Sequence, residues 1–243
     1  VGDKAPVYEF LVDDTDPGWT TEAQWAFGPP TGGGSHDGDP SAGFTGANVY
    51  GYNLDGDYPS GMPVDRLTSR ALPTTNLVGT ELRFQRWLGI EAATSDEASI
   101  EISGNLGDWT PIWQHTGAAI SESAWSQQTI DIASAGDMQT KIYFRWNIGP
   151  TDGSTTYPGW NIDDIQVWGI DVTAPLCAGV VFQPADANAD GSVNGLDVQM
   201  FVDILMDPLA GWTGAQICAS ELSGDELVDV ADVGPFVDSL LGP

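Results

Sequence analysis

Hydrophobic and polar positions follow two different periods along this chain. In the first 170 or so residues, apolar side chains recur at every second position in short segments such as Ala98–Ile102 and Ile142–Ile148. This alternation is typical of strands with one buried face. Turn-forming clusters at 104–108 and 149–153 interrupt the pattern, and no sustained helical period appears. The N-terminal part is therefore predicted to be a β-sandwich.

Towards the C-terminus the apolar spacing becomes helical. Two segments show it: Leu196, Met200, Phe201, Ile204 and Leu205, and then Val233, Phe236, Val237, Leu240 and Leu241. The spacing predicts two short amphipathic helices. Pro208 should end the first, and Pro235 fits the second only within its first turn.

A twelve-residue segment before the first of these helices carries the ligand pattern of a calcium loop. Oxygen-bearing side chains occupy positions 1, 3, 5, 9 and 12, position 7 needs only its backbone carbonyl, and Gly191 at position 6 allows the sharp turn. The predicted ligands are Asp186, Asn188, Asp190, the Ser192 carbonyl, Asn194 through water, and Asp197. The alternative is a solvated turn rich in Asp and Asn.

A second copy of the loop begins 35 residues later. Its predicted ligands are Glu221, Ser223, Asp225, Asp229 and Asp232. Glu226 replaces the glycine of position 6, and serine is a weaker ligand than asparagine. We expect this loop to bind calcium more weakly, or to be empty and held by packing alone.

The two cysteines stand shortly before the two loops. This placement favours a disulfide between Cys177 and Cys218, which would clasp the repeats in a secreted protein. The alternative is two buried free thiols.

Charge narrows the choice of function. The chain has 35 acidic and 7 basic residues, a net charge of −28, and no Lys or Arg after Arg145. Such a charge excludes ordinary nucleic-acid binding and argues against anionic membrane surfaces. Self-repulsion also favours bound cations, although the charge also serves solubility. The composition also favours an extracellular setting. No apolar run approaches the length of a membrane span, and a start at Val1 suggests a mature or trimmed chain.

The segment Gly159–Gly169 combines apolar positions of conflicting parity. Ile165 and Val167 share one strand face, whereas Ile162 has the opposite parity, so burying all three requires an irregularity at Asp163 and Asp164. Adjacent carboxylates at such a kink favour a calcium ion, a hydrogen-bonded turn or, less readily, catalysis.

Residues 180–243, with two loop–helix units and Asp at position 12 of each loop, resemble a type I dockerin. The resemblance implies a calcium-folded docking module whose partner is a cohesin-like domain. The family's partner-reading positions correspond to Gly195 and Leu196 in the first copy and to Val230 and Ala231 in the second. These do not form the matched polar pair common in cellulosomal dockerins.

Residues 8–170 are similar to the jelly-roll modules related to MAM domains. The similarity rests on Trp-x-Ile-Asp-Asp-Ile-x-Val at 160–167 and on motifs at 17–20, 49–58, 67–69 and 91–102. It implies a jelly roll with a structural cation that joins Asp164 to an acid between Glu9 and Asp16. The predicted domains are a jelly-roll sandwich over 1–172 and a dockerin-like calcium-binding domain over 173–243.

Catalytic signatures are weak. The histidines, His36 and His115, stand at unrelated positions, and no nucleophile-elbow, zinc-helix or phosphate-loop motif is present. Sugar binding stays open because tryptophans form stacking platforms, and the candidates are Trp87, Trp109, Trp113 and Trp125.

Three hypotheses follow. The first is the binding and docking portion of a secreted hydrolase. The second is a structural subunit of an extracellular assembly, with the tail of one chain engaging the jelly roll of the next. The third, a free-standing enzyme, has the least support. We predict a non-catalytic, calcium-stabilised extracellular binding or assembly protein, whose partner is a cohesin-like domain or a copy of itself.

Overall fold

We describe a computed structural model of the chain over residues 3–172, 177, 180–208, 210–224 and 227–241. It contains two compact units, one formed by Ala5–Gly169 and one that takes in the chain from Ile170 onwards. We call them the jelly roll and the tail. Within the described ranges, every helix is too short or too polar to cross a lipid bilayer.

The jelly roll consists of two antiparallel sheets, which confirms the predicted β-sandwich. The larger sheet contains β1 (Ala5–Phe10), β3 (Trp25–Gly28), β4 (Val49–Tyr52), β6 (Leu77–Ile90), β9 (Ile120–Ser121), β10 (Ser126–Asp131) and β12 (Gly159–Asp171). The smaller sheet contains β2 (Thr20–Thr21), β5 (Asp65–Thr68), β7 (Ala98–Ser103), β8 (Thr110–Gln114) and β11 (Tyr143–Ile148). A single helical turn, α1 (Ala133–Gly136), follows β10.

The strand order explains which chain segments meet. In the larger sheet it is β10-β6-β12-β4-β3, with β1 also paired to β12 and β9 to β6. In the smaller sheet it is β2-β5-β11-β7-β8. Strand β12 therefore meets both the first strand and β4, although they are remote from it in sequence.

The core between the sheets is aromatic. Trp146 and Tyr50 are both buried, and Trp19 lies between them, stacked on Tyr50 at 5.3 Å and on Trp146 at 5.6 Å between ring centroids. The alternating apolar residues of β7 and β11 point into this core, since Ile100, Ile102, Phe144, Trp146 and Ile148 are all buried. The period-two pattern thus located these two strands and their inner faces correctly.

Strand β12 is kinked where the parity of its apolar residues conflicts. Ile162, Ile165 and Val167 are all buried, and Asp164 adopts φ of +47°. The strand pairs with β4 through Asn161 and Ile162, and with β1 from Ile165 onwards. The left-handed residue lies between the two pairings and lets both halves of the strand face the core.

The described part of the tail contains three helices, α2 (Asp197–Met206), α3 (Gly214–Ser220) and α4 (Val233–Leu241), with a 3-10 turn at Val230–Asp232. Helix α2 ends before Pro208, and Pro235 lies in the first turn of α4, as predicted. Helix α3 was not predicted. Its signal is the capping box at its start, in which the Thr213 side chain accepts from the Gln216 backbone N–H.

The two predicted helices pack through equivalent residues. Phe201 of α2 and Phe236 of α4 are 35 residues apart, the offset of the repeat, and their rings stack in parallel with centroids 3.9 Å apart. Ala185 and Ala187 at the start of the first loop join this small core. The tail therefore has an internal near-symmetry that relates its two loop–helix units.

Candidate calcium and docking sites

The first predicted calcium loop folds around its own side chains. Asp186 is buried, and its two carboxylate oxygens accept the backbone N–H groups of Asp190 (3.1 Å) and Gly191 (2.9 Å). Gly191 has φ of +86°, which fits its predicted place at the turn. The Asn188 amide donates to Asp190 Oδ2 at 3.0 Å, and the Asn194 amide donates to the Ser192 carbonyl at 3.2 Å.

Asp197, the twelfth residue of the loop, closes it. Its carboxylate is buried, with Oδ1 accepting from Asn188 N–H at 3.1 Å and Oδ2 from Asn194 N–H at 2.9 Å. The structure thus brings all six predicted residues of this loop into one hydrogen-bonded set. Carboxylate, amide and carbonyl oxygens are the ligands that calcium prefers, so the donor set fits this ion.

The second loop repeats the closing geometry. Asp232 is buried, its Oδ1 accepts from Leu222 and Ser223 N–H at 2.6 and 2.8 Å, and its Oδ2 accepts from Asp229 N–H at 2.8 Å. Glu221 Oε1 accepts from Gly224 N–H at 2.5 Å. Four of the five predicted ligands therefore belong to one loop, and the fifth, Asp225, lies outside the described residues.

A disulfide joins Cys177 to Cys218, which confirms the predicted pairing. Cys218 is buried in α3, immediately before the second loop, and Cys177 precedes the first. The bond links two residues 41 positions apart in the sequence and encloses the whole first loop and α2.

In the jelly roll, the kink in β12 meets the loop before β4. Asp163 is buried, and its Oδ2 accepts the N–H groups of Phe44 (2.6 Å) and Thr45 (3.2 Å). Its other oxygen accepts from the N–H of Asp164 at 2.8 Å. Asp163 therefore forms the hydrogen-bonded turn that was one alternative for this pair of carboxylates.

Asp164 instead faces Asp13, an acid within the predicted range 9–16. The Thr45 hydroxyl oxygen lies 2.7 Å from Asp164 Oδ1 and 2.9 Å from Asp13 Oδ1. One hydroxyl carries one proton and donates to one carboxylate at a time. The second carboxylate then lacks a donor here, and a cation would supply the missing positive charge. The Asp13 carbonyl accepts from the Asn48 amide, which fixes the loop.

Burial controls the protonation of both carboxylates at the kink. The pKa of Asp163 is raised to about 6, mainly by desolvation and also by the neighbouring charge of Asp164, against the hydrogen bonds from the N–H groups of Asp164, Thr45 and Phe44. Desolvation also raises the pKa of Asp164, and the charges of Asp13 and Glu9 act in the same direction, against the Thr45 hydrogen bond. Both carboxylates therefore bind a proton more readily than an exposed aspartate does.

One acidic cluster had no sequence signal. Carboxylate oxygens of Glu91, Asp96 and Asp152 lie within 4.8 Å of one another, the only such trio in the described ranges. Asp96 is buried, but Tyr58 and the Asp152 backbone N–H donate to it at 2.5 and 2.8 Å. Its oxygens are thus satisfied within the protein, which makes the cluster a hydrogen-bonded junction.

The four candidate tryptophans are all half-buried. The Arg145 guanidinium lies 4.1 Å from the Trp109 ring centroid, and Trp113 packs edge-on against Trp160 at 5.3 Å and under Arg86 at 5.5 Å. Trp87 and Trp125 contact each other edge-on at 5.9 Å. Because other side chains contact each ring, none of the four is an isolated stacking platform.

The tail presents apolar side chains that its core does not use. On α2, Val198, Val202 and Met206 are exposed at a spacing of four residues, and on α4, Val233, Val237 and Leu241 are exposed at the same spacing. The two sets are related by the 35-residue offset, and their last members match closely, with Met206 78% and Leu241 79% exposed. We call them the paired stripes. The predicted partner-reading residues Leu196 and Val230 are exposed as well.

No family model matches this chain, and no curated protein matches it. Solved structures with a similar arrangement include the K3 cleaved adhesin domain of Lys-gingipain from Porphyromonas gingivalis, at 19% identity and a TM-score of 0.44, over 67% of this chain and 98% of that one. Another is the xylan-binding CBM22-1 domain of Xyn10C from Paenibacillus barcinonensis, at 10% identity and a TM-score of 0.43, over 70% of this chain and 98% of that one. Similarity at this level assigns no ligand, partner or activity to the chain.

Proposed function

We propose that this chain is a non-catalytic, calcium-stabilised extracellular binding and assembly protein whose tail docks a protein partner. The observation that carries the proposal is the pair of apolar stripes on α2 and α4. Six exposed apolar side chains in two equivalent rows cost solvation free energy in a free tail, and a partner surface would bury them. Helix faces with anchors at regular turns are a common mode of protein recognition.

Charge favours a different protein as the partner over a second copy of this chain. The chain contains no Lys or Arg after Arg145, and as a whole it carries a net charge of −28. Two such chains repel each other, whereas a partner with basic residues around an apolar patch is attracted. The cohesin-like domain implied by the dockerin resemblance is the first partner class to test.

Calcium fits this proposal as a structural ion. The first loop gathers six residues with the right oxygen ligands directly before α2, so an ion there would fix the helix that carries the first stripe. The second loop stands before α4 in the same way, and the Asp13–Asp164 pair would hold a further ion in the jelly roll. The disulfide fits an oxidising, extracellular location.

The test is binding of the full chain to purified cohesin-like domains and to extracellular proteins of the source organism, measured by calorimetry with calcium. The double variant Val202→Glu/Val237→Glu should weaken binding by at least about tenfold, because each charge would be buried in the contact. Gln199→Ala/Ser239→Ala alters exposed, uncharged positions on the same two helices and should leave binding within about twofold.

Four results would change the proposal. Equal binding by the wild type and the double glutamate variant would move the interface off the stripes. Association that survives deletion of residues 173–243 would move it to the jelly roll. If the chain associates with itself and the double glutamate variant does not, the partner is a second copy of the chain. If the chain has a hydrolytic activity that is lost on substituting one carboxylate, the non-catalytic assignment is wrong.

A second candidate function is carbohydrate binding, favoured by a polar cleft on the larger sheet. The cleft, of about 110 Å³, is lined by Arg83, Phe84, Gln85, Gln127, Asp164 and Gln166. Trp168 lies beside it, with the Arg83 guanidinium 3.9 Å from its ring centroid. Amide and guanidinium groups suit sugar hydroxyls. Gln85→Ala/Gln127→Ala should abolish retention on insoluble polysaccharides, and a wild-type chain that no polysaccharide retains would remove this candidate.

A further inference from the structure

A buried acid and a buried amide face each other between the loop that precedes β4 and strand β12. Asp39 is 4% exposed, and Asn161, on β12 opposite Gly51, is fully buried. The Asn161 amide donates to Asp39 Oδ1 at 2.7 Å. This pair shares no residue with the tail loops or with the Asp13–Thr45–Asp164 site.

Each side chain also carries a second oxygen that has no partner. Asp39 Oδ2 and Asn161 Oδ1 are both buried without a hydrogen bond. Buried acceptors are nearly always satisfied, because losing their hydration without compensation is unfavourable. Both atoms are acceptors, so each of them could accept a proton or contact a cation.

The surrounding backbone approaches this pair closely. A Cβ atom at Gly51 would lie 2.6 Å from Asn161 Oδ1, and one at Gly33 would lie 2.7 Å from the Asp55 carbonyl oxygen. The Asp39 N–H donates to the Gly33 carbonyl at 2.7 Å. These glycines allow the 32–39 loop to lie against the 53–57 loop and leave room for the Asn161 oxygen.

Negative charge accumulates at the same place. The pKa of Asp39 is raised to about 7, mainly by burial and also by the nearby carboxylates of Asp57 and Asp55, against the hydrogen bond from Asn161 and the effect of the Gly56 backbone N–H. Asp57 itself accepts from the N–H of Ser35 in the facing loop at 2.7 Å. Ionised Asp39 therefore lies in a negative environment without a cationic side chain among these contacts.

We propose that Asp39 Oδ2 and Asn161 Oδ1 bind a hard divalent cation, of which Ca²⁺ is the class that fits best. Carboxylate and amide oxygens are calcium ligands, and the two free atoms are already ordered and desolvated. The carboxylates of Asp55 and Asp57 add favourable charge near the ion. Bound there, the cation links the 32–39 loop to β12. The stability of the jelly roll then depends on calcium at this site as well as at the Asp13–Thr45–Asp164 site.

The competing arrangement is a neutral pair in which protonated Asp39 donates from Oδ2 to Asn161 Oδ1. It satisfies the same two atoms without a metal. The cation site needs the negative charge of Asp39, whereas the neutral pair needs Asp39 to be uncharged. Removing that charge by substitution therefore affects stability in opposite directions in the two arrangements.

The experiment compares calcium stoichiometry of the full chain, by equilibrium dialysis at pH 7.5, with jelly-roll melting in calcium and in chelator. Asp39→Asn should bind one ion fewer than the wild type and should lose part of the calcium-induced rise in melting temperature. Asp108→Asn removes a charge from an exposed turn and should keep the wild-type stoichiometry. An unchanged ion count in Asp39→Asn, with equal or higher melting temperature in chelator, would establish the neutral pair and overturn the proposal.

Asn161→Asp decides the matter if Asp39→Asn does not fold. A second carboxylate at a cation site should enlarge the calcium-induced rise in melting temperature and tighten that ion's binding by about tenfold or more. A variant that is destabilised equally in calcium and in chelator would exclude the cation, because two carboxylates would then repel each other in both conditions.

Discussion

Asp197 and Asp232 occupy equivalent positions in the two loops of the tail, each buried and each accepting backbone N–H groups from loop positions 3 and 9. Each carboxylate thus connects the beginning of its loop to its end. A hydrogen-bonded closure of this kind orients the remaining ligands before an ion arrives, which favours binding.

Chelation should therefore reduce the helicity of the tail, and added calcium should restore it. Asp197→Asn removes the charge and one of two acceptor oxygens, so we expect it to lose the calcium response and about 1–3 kcal/mol of tail stability. Asp232→Asn is the matched variant in the weaker loop and should lose less of the response. Circular dichroism during a calcium titration measures both, and a normal response in Asp197→Asn would contradict the prediction.

The jelly-roll site allows a test with opposite signs in two conditions. Asp13→Asn removes one of the two carboxylates that face Thr45, so repulsion falls and the jelly roll should melt at a higher temperature than the wild type in chelator. In calcium the order should reverse, since the ion loses a ligand. Asp14→Asn alters the neighbouring, exposed residue, and its melting temperature should match that of the wild type both in calcium and in chelator. If Asp13→Asn melts above the wild type in both conditions, no ion binds there.

Buried tyrosines predict alkaline unfolding. Tyr50, Tyr52 and Tyr58 donate to Asp16, Asp65 and Asp96, and desolvation together with these acceptors raises the pKa of all three hydroxyls above the usual value of 10.0. Groups with a raised pKa in the folded state stabilise it fully below their unfolded pKa, and this contribution falls as pH rises above it.

Thermal melts between pH 8 and pH 11.5 should thus show constant stability up to about pH 10 and then a steep loss. These three tyrosines should ionise, and so contribute the ultraviolet absorbance of tyrosinate, only when the jelly roll unfolds. Tyr58→Phe should start from a lower stability, because Asp96 loses a donor, and should show a shallower alkaline slope. Free titration of all six tyrosines in the folded chain would be the opposite result.

The stack of Phe201 on Phe236 makes up much of the tail's small core. Phe201→Ala should cost about 3–5 kcal/mol, which is enough to unfold a unit of this size even with its disulfide intact. Val202→Ala, at the next residue but exposed, should change stability by about 0.5 kcal/mol or less. Amide hydrogen exchange can follow the tail separately from the jelly roll, whose protection should not change in either variant.

Local patterns were sufficient to predict part of this structure. The strands β7 and β11, the end of α2, the place of Pro235 in the first turn of α4, the cysteine pairing and the irregularity at Asp164 each follow from spacing within about ten residues or from the repeat. The grouping of side chains in the first loop could be predicted because all of them lie in one segment, and calcium binding there stays a prediction. Such features depend on backbone geometry that neighbouring residues set.

The features missed depend on contacts between distant segments. The pairing of Asp39 with Asn161, and of Tyr58 with Asp96, arises from strand order and loop closure, which periodicity does not contain. The chain also has so many acidic residues that its composition does not indicate which few of them lie close together in the fold. Helix α3 is a different case, since its Thr213–Gln216 capping box was visible in the sequence.

The position of the disulfide has a mechanical consequence. Tension that enters the tail at Cys177 and leaves after Cys218 passes through the sulfur–sulfur bond and bypasses the first loop and α2 entirely. The second loop and α4 lie beyond Cys218 and carry the load when the chain is pulled through its C-terminal helix. A chain anchored by α2 and one anchored by α4 would therefore yield at different forces, although their contact surfaces are nearly the same.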